Sequence, residues 1–179
     1  MIIDRRNFSS TKIFLLKRKK IFLLFLLSSF VISTNAQVKY SYVPSVTRIL
    51  FVLDASGSMK EPFSGEKKMD IAKKILIHVT DSIAKANPKV EFGLRALGEN
   101  FPREQNNCKD TKLEVPFSKN NSSQMATGLG KINPQGQTPL AYALFQAIND
   151  FPVDSTATNA IILITDGKET CGGDLCALA

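Results

Sequence analysis

Three features of this 179-residue sequence predict an α/β fold with a largely parallel sheet flanked by helices. Two unbroken apolar runs, residues 49–53 (Ile-Leu-Phe-Val-Leu) and 160–165 (Ala-Ile-Ile-Leu-Ile-Thr), read as strands buried on both faces, the pattern of central parallel strands. Segments with apolar residues at helical spacing lie between them. Each run is followed by an acid and small turn residues, Asp54 and Asp166. The carboxyl ends of buried strands are where open α/β sheets present their ligands.

In chain order the elements read β-α-β-β-α-α-β. Residues 37–45 form a polar and aromatic lead-in, with Pro44 and Ser45 marking a turn. Residues 48–53 are the first strand, and 54–65 a loop broken by Pro62, Ser64 and Gly65. Residues 66–86 are the clearest helix, with Met69, Ala72, Ile75, Leu76, Val79 and Ile83 on one face, ended by Asn87-Pro88. In the second strand Val90, Phe92 and Leu94 alternate with Glu91, Gly93 and Arg95, so one face is expected to be better covered than the other. Residues 99–110 are irregular. The short strand 111–117 carries Leu113, Val115 and Phe117 on one side, and Pro116 suits an edge. A modest helix over 121–131 has Met125, Leu129 and Ile132 as its stripe, weakened by Gly128 and Gly130. After the loop 133–139, a helix over 140–150 places Leu140, Leu144, Ala147 and Ile148 on one face, with Thr138 as its cap and Pro139 in its first turn.

Composition narrows the function. The apolar fraction of 44% is that of a globular protein, and the length suits one main domain. The formal charge of +7 is concentrated in the leader. Residues 1–36 hold seven of the 23 Lys and Arg but one of the 16 acids, so the remainder is close to neutral and a nucleic-acid role is not expected. That leader reads as a secretory signal: a basic cluster at Lys17–Lys20, an apolar run over 21–33, and Thr34-Asn35-Ala36 before a cleavage point at Gln37. The run is too short to span a bilayer comfortably, so membrane contact is expected only through an uncleaved leader. An exported protein in the periplasm, at the cell surface or secreted is the expectation, in a compartment where thiols oxidise.

The chemistry concentrates at the strand ends. Asp54, Ser56 and Ser58 are spaced two apart, so a curling loop brings three hard oxygens to one point, suited to Mg²⁺, Mn²⁺ or Ca²⁺. If the two apolar strands are neighbours, Asp166 and the loop bearing Thr138 open on the same edge. Taken singly, each feature has an ordinary reading: turn serines, a helix cap, an Asp-Gly turn. Their order and placement together are what point to a cation. An aspartyl phosphotransferase would need a second acid where Ser56 stands, and a serine hydrolase would need a usable histidine, whereas His78 lies mid-helix. No phosphate-binding Gly-x-x-x-x-Gly-Lys loop is present. The alternatives are a metal-dependent hydrolase or phosphotransferase using Asp54, and a structural module with an unused site.

Asp54-Ala-Ser56-Gly-Ser58, Thr138 in Gly136-Gln-Thr138-Pro-Leu, and Asp166 in Thr165-Asp166-Gly167 resemble the three parts of the metal-ion-dependent adhesion site of von Willebrand factor type A domains. The resemblance runs from about Val46 to Cys176, within a domain placed at 46–179, and its last segment is similar to bacterial secreted members. It implies a Rossmann-like sheet and a bound divalent cation, usually Mg²⁺. Ser56, Ser58 and, with ligand bound, Thr138 would ligate directly, and Asp54 and Asp166 mainly through water. A protein ligand presenting Asp or Glu would complete the coordination. Family members carry further strands and helices beyond the position of Asp166, so the sheet is expected to be incomplete at its C-terminal side. Of the cysteines, Cys171 and Cys176 are close enough in sequence to pair, and Cys108 could instead reach one of them; a disulfide fastening the loop after Asp166 is expected.

Overall fold

The computed structural model describes residues 45–178; the leader and most of the lead-in lie outside them. The main sheet has four strands, β1 (Thr47–Asp54), β4 (Val90–Leu97), β5 (Thr111–Lys119) and β6 (Thr158–Ile164), in the order β5-β4-β1-β6. β1 runs parallel to both β4 and β6, and β5 runs antiparallel to β4. The helices are α1 (Lys68–Ala86), α2 (Ser122–Lys131) and α3 (Leu140–Asn149).

Alternation along β1 divides the core. Phe51 and Leu53 pack with Met69, Leu76, Met125 and Leu129 of α1 and α2. Leu50 and Val52 face the other way, toward Leu140, Ala143 and Ala147 of α3. Both faces of β1 are therefore covered, which explains its unbroken apolar run. Truncating such a side chain to alanine costs about 2–5 kcal/mol.

Several expectations are corrected. Residues 62–67, read as loop and helix start, form a small hairpin of β2 (Pro62–Phe63) and β3 (Glu66–Lys67). Its two loop residues, Ser64 (φ 52°) and Gly65 (φ 88°), are both left-handed, the backbone a tight hairpin requires. The long helix therefore starts at Lys68. β4 is covered on both faces. Arg95, placed by the alternation on the less covered face, is buried because Asp150 binds its guanidinium with two hydrogen bonds of 2.6 and 2.7 Å.

On β5 the predicted single apolar side breaks up. Val115 joins the α1–α2 core, whereas Leu113 and Phe117 join the α3 core. Register shifts between β4 and β5 around Leu94 account for the reversal, since each extra residue flips the side chains that follow. On α3 the buried positions are Leu140, Ala143 and Ala147, and Ile148 is exposed. Thr138 does not cap α3; Pro139 holds the cap position without a side-chain hydrogen bond. β6 was expected to be buried, yet among the described residues it pairs only with β1, and most of its residues are exposed, Ile161 and Ile162 among them. Apolar sequence predicts a buried strand only when neighbours cover it.

Beyond β4, Glu99 meets Glu114 of β5 beside Lys112. Burial, with a proton shared with Glu114, pushes Glu99 up to about 7, while Glu114 is held below its usual range. The folded state thus keeps a proton that the unfolded chain releases, so the stabilisation from Glu99 is present at low pH and fades as pH rises from 4.5 through about 7. Glu99→Gln is expected to flatten the melting-temperature profile across that window. A profile as steep as that of the parent would refute the assignment.

Candidate functional site

Asp54 closes β1 and is fully buried. The register pairs Leu53 with Ile164, which sets Thr165 beside Asp54. Thr165 Oγ1 donates to Asp54 Oδ2 at 2.6 Å, and the Ser56 amide donates to Oδ1 at 2.8 Å. The chain then curls into a single 3-10 turn, Gly57–Lys60, with the Met59 amide on the Ser56 carbonyl at 3.1 Å. That curl brings the Ser56 and Ser58 hydroxyl oxygens to 3.2 Å. Ser58 Oγ donates to Asp166 Oδ1 at 2.8 Å. Four of the five predicted residues are thus linked in one hydrogen-bonded cluster at the carboxyl edge of β1 and β6.

Thr138 reaches the same edge through backbone pairing. Ser56 and Gly136 form an isolated parallel bridge. The Gln135 amide donates to the Ala55 carbonyl at 2.9 Å, the Gly57 amide to the Gly136 carbonyl at 3.0 Å, and the Gly136 amide to the Gly98 carbonyl at 2.7 Å. Gly98, at φ +72°, lies under this crossing, and a Cβ there would stand 2.4 Å from the Gln137 carbonyl oxygen. Thr138 itself is buried, and among the described residues none hydrogen-bonds its hydroxyl.

Two carboxylates and one ammonium set the charge of the cluster. Burial pushes the Asp54 carboxyl above its ordinary value, and the charge of Asp166 adds in the same direction, against hydrogen bonds from Thr165 and Ser56. Lys68 Nζ donates to Asp166 Oδ2 at 2.6 Å and to Glu61 Oε2 at 2.8 Å, and these bonds raise the Lys68 ammonium. The donor set holds oxygen only, two carboxylates and hydroxyls, and so fits a hard divalent ion. Among the described residues no cluster of three His, Cys, Asp or Glu side chains offers an alternative metal site.

Sequence reasoning missed Thr165, Lys68 and Gly98. Thr165 had a signal, a hydroxyl directly before the acid. Lys68 lies among several lysines of the long helix, and Gly98 directly follows the second strand. The cysteine question is resolved: Cys108 pairs with Cys171, and Cys176 is an exposed thiol. The loop after Asp166 is therefore fastened, as expected, to the irregular segment after β4.

A largely parallel sheet between helices, with oxygen donors gathered at the ends of β1 and β6, defines a class of α/β domain. Residues 49–169 match the von Willebrand factor type A domain, and the chain belongs to that family. It is 34% identical over 134 residues to the uncharacterized protein YwmD of Bacillus subtilis (strain 168), across 72% of this chain and 58% of YwmD. The chain thus spans little more than half the length of that relative. Among solved structures it is similar to the pilus adhesin SpaC of Lactobacillus rhamnosus GG, with TM-score 0.59 and 25% identity over 72% of this chain and 16% of SpaC. The PilB minor pilin of Streptococcus sanguinis shares the fold at TM-score 0.57 and 20% identity, over 70% of this chain and 30% of PilB.

Proposed function

We propose that this chain is an exported, non-enzymatic binding module that engages a protein ligand through a divalent cation, Mg²⁺ foremost, with Mn²⁺ or Ca²⁺ as alternatives. Ser56, Ser58 and Thr138 would supply hydroxyl ligands, with Asp54 and Asp166 holding them and bound water in place. When bound, the cation supplies an electron-poor open position that an Asp or Glu carboxylate of the partner can fill. The observation that carries the reading is the linked cluster of Asp54, Ser56, Ser58 and Asp166, with Thr138 brought alongside by backbone pairing.

The chain's own residues do the remaining work. Buried Asp54 fixes the Ser56 amide and, through it, the curl that presents both serines. Lys68 neutralises Asp166 and holds its carboxylate beside Ser58. Neither serine has a histidine base, so the hydroxyls are suited to ligation rather than attack. The Cys108–Cys171 disulfide and the signal-like leader support export. Nucleic acid is not the proposed partner, and a membrane would be met only through a retained leader.

The test is retention of a mixed Asp- and Glu-bearing peptide library on the immobilised chain, beside a matched Asn and Gln library. Acidic peptides are expected to be retained in Mg²⁺ and released by EDTA. Equal retention of the two libraries, or retention that survives EDTA, would contradict the proposal.

A further inference from the structure

We propose that residues 169–171 form a strap that positions Thr138, with Thr170 as the positioning residue; the inference rests on the binding reading above and assigns that site's alignment to side chains outside the five-residue set.

Helix α3 begins without a local side-chain cap, because Pro139 supplies no side-chain acceptor for the amides of the first turn. The strap supplies the missing partners from across the site. Glu169 Oε2 accepts the Ala141 amide at 2.8 Å, which also places a negative charge at the helix N-terminus, and Oε1 accepts the Cys171 amide at 2.6 Å. Thr170 grips Thr138, the residue before the Pro139 cap. Its Oγ1 accepts the Thr138 amide at 2.8 Å and donates to Gln137 Oε1 at 3.0 Å, while its own amide donates to the Thr138 carbonyl at 3.2 Å. Both backbone polar groups of Thr138 are thereby engaged by one residue, and its hydroxyl is left without an intramolecular partner among the described residues.

The fit is close. A Cβ on Gly173 would lie 2.4 Å from the Ala141 side chain and 3.2 Å from Glu169 Oε2, so the strap's return path needs glycine. One end of the strap continues from Asp166, and the other is fixed by Cys171 to Cys108. The loops bearing Asp166 and Thr138 are consequently tied together, four residues from the acid, rather than placed independently.

Thr170 is exposed, so replacing it does not open the core. The experiment compares the full chain with Thr170→Val, which keeps the shape but loses the hydroxyl, and Thr170→Ser, which keeps the hydroxyl. Two readouts are taken: amide exchange at Thr138, and Mg²⁺-dependent retention of the acidic peptide library. The Val variant is expected to exchange the Thr138 amide about tenfold faster, the effect of one lost hydrogen bond, and to lose retention several-fold. The Ser variant is expected to restore both. Unchanged exchange at Thr138 in Thr170→Val overturns the strap, whatever the melting temperature does. Absence of Mg²⁺-dependent retention in the parent chain would sink the binding reading, and the exchange comparison would still decide the strap. Glu169→Gln provides a second variant, expected to speed exchange at Ala141.

Discussion

Asp54→Asn is expected to abolish saturable Mg²⁺ binding while leaving the cation-free protein at least as stable as the parent. The two halves have one cause. Asp54 is buried, and its carboxyl sits above its ordinary value chiefly because burial penalises the charge. For such a group, stability is fully present below 3.8 and is lost as pH rises through the raised folded value. At neutral pH, without a cation, ionised Asp54 therefore works against the fold. An amide keeps the local bonds: its oxygen can accept the Ser56 amide, and its NH₂ can donate to Thr165 Oγ1, which in turn can donate to the Gly167 carbonyl 3.3 Å away. What the amide lacks is the charge that attracts the cation. Melts in EDTA and in saturating Mg²⁺ separate the effects. The parent is expected to gain about 2.7 kcal/mol at a hundredfold excess over Kd, and Asp54→Asn nothing. An Asn variant that melts well below the parent in EDTA, or that still gains stability with Mg²⁺, would refute this.

The second large effect is expected at Gly98. Alanine there must hold φ +72°, which costs about 1–2 kcal/mol, and must push back the Gln137 carbonyl oxygen. The clash adds about 1–3 kcal/mol, because the opposing atoms are backbone on two sides, Gln137 and Ser56. A loss of about 3 kcal/mol should lower Tm by roughly 10 °C for a domain of this size. Gln137 directly precedes Thr138 and Ser56 opens the serine curl, so the Thr138 loop and the curl should part company and cation binding should weaken with stability. Gly130→Ala is the control. No atom lies within 4 Å of its would-be Cβ, and it sits in helix α2, so alanine is expected to stabilise by about 0.5–1 kcal/mol. Equal melting temperatures for the two variants would show that the crossing under Gly98 is not tight.

Legibility in the sequence followed the range of the interactions. The core strand β1, Met69, Ala72 and Leu76 of α1, and Met125, Leu129 and Ile132 in and just after α2 were readable because burial repeats at fixed spacing along the chain, whereas Ile75, placed on the same stripe, is exposed. The five candidate residues stood out in the sequence because each follows or precedes an element end of recognisable type. Their linkage was not, because Ser58 and Asp166 are joined across 108 positions by a strand pairing that periodicity does not encode. The reversal of side on β5 was hidden for the same reason: a register shift belongs to a pair of strands, not to one. Arg95 looked like a solvent-side residue until Asp150, 55 positions on, supplied its partner. Thr138 looked like a cap because its hydroxyl precedes a helix. The cap comes instead from Glu169, a tertiary contact with no local signature.

The central claim, that Asp54, Ser56, Ser58, Thr138 and Asp166 jointly hold one divalent cation, is tested most directly by calorimetric Mg²⁺ titration of the chain and of Ser58→Ala, Thr138→Val and Asp166→Ala. The account predicts one saturable site per chain, strongly weakened by Ser58→Ala and Asp166→Ala, and weakened by Thr138→Val most clearly when an acidic peptide is present. No saturable heat in the parent, or three variants that bind as the parent does, would contradict it.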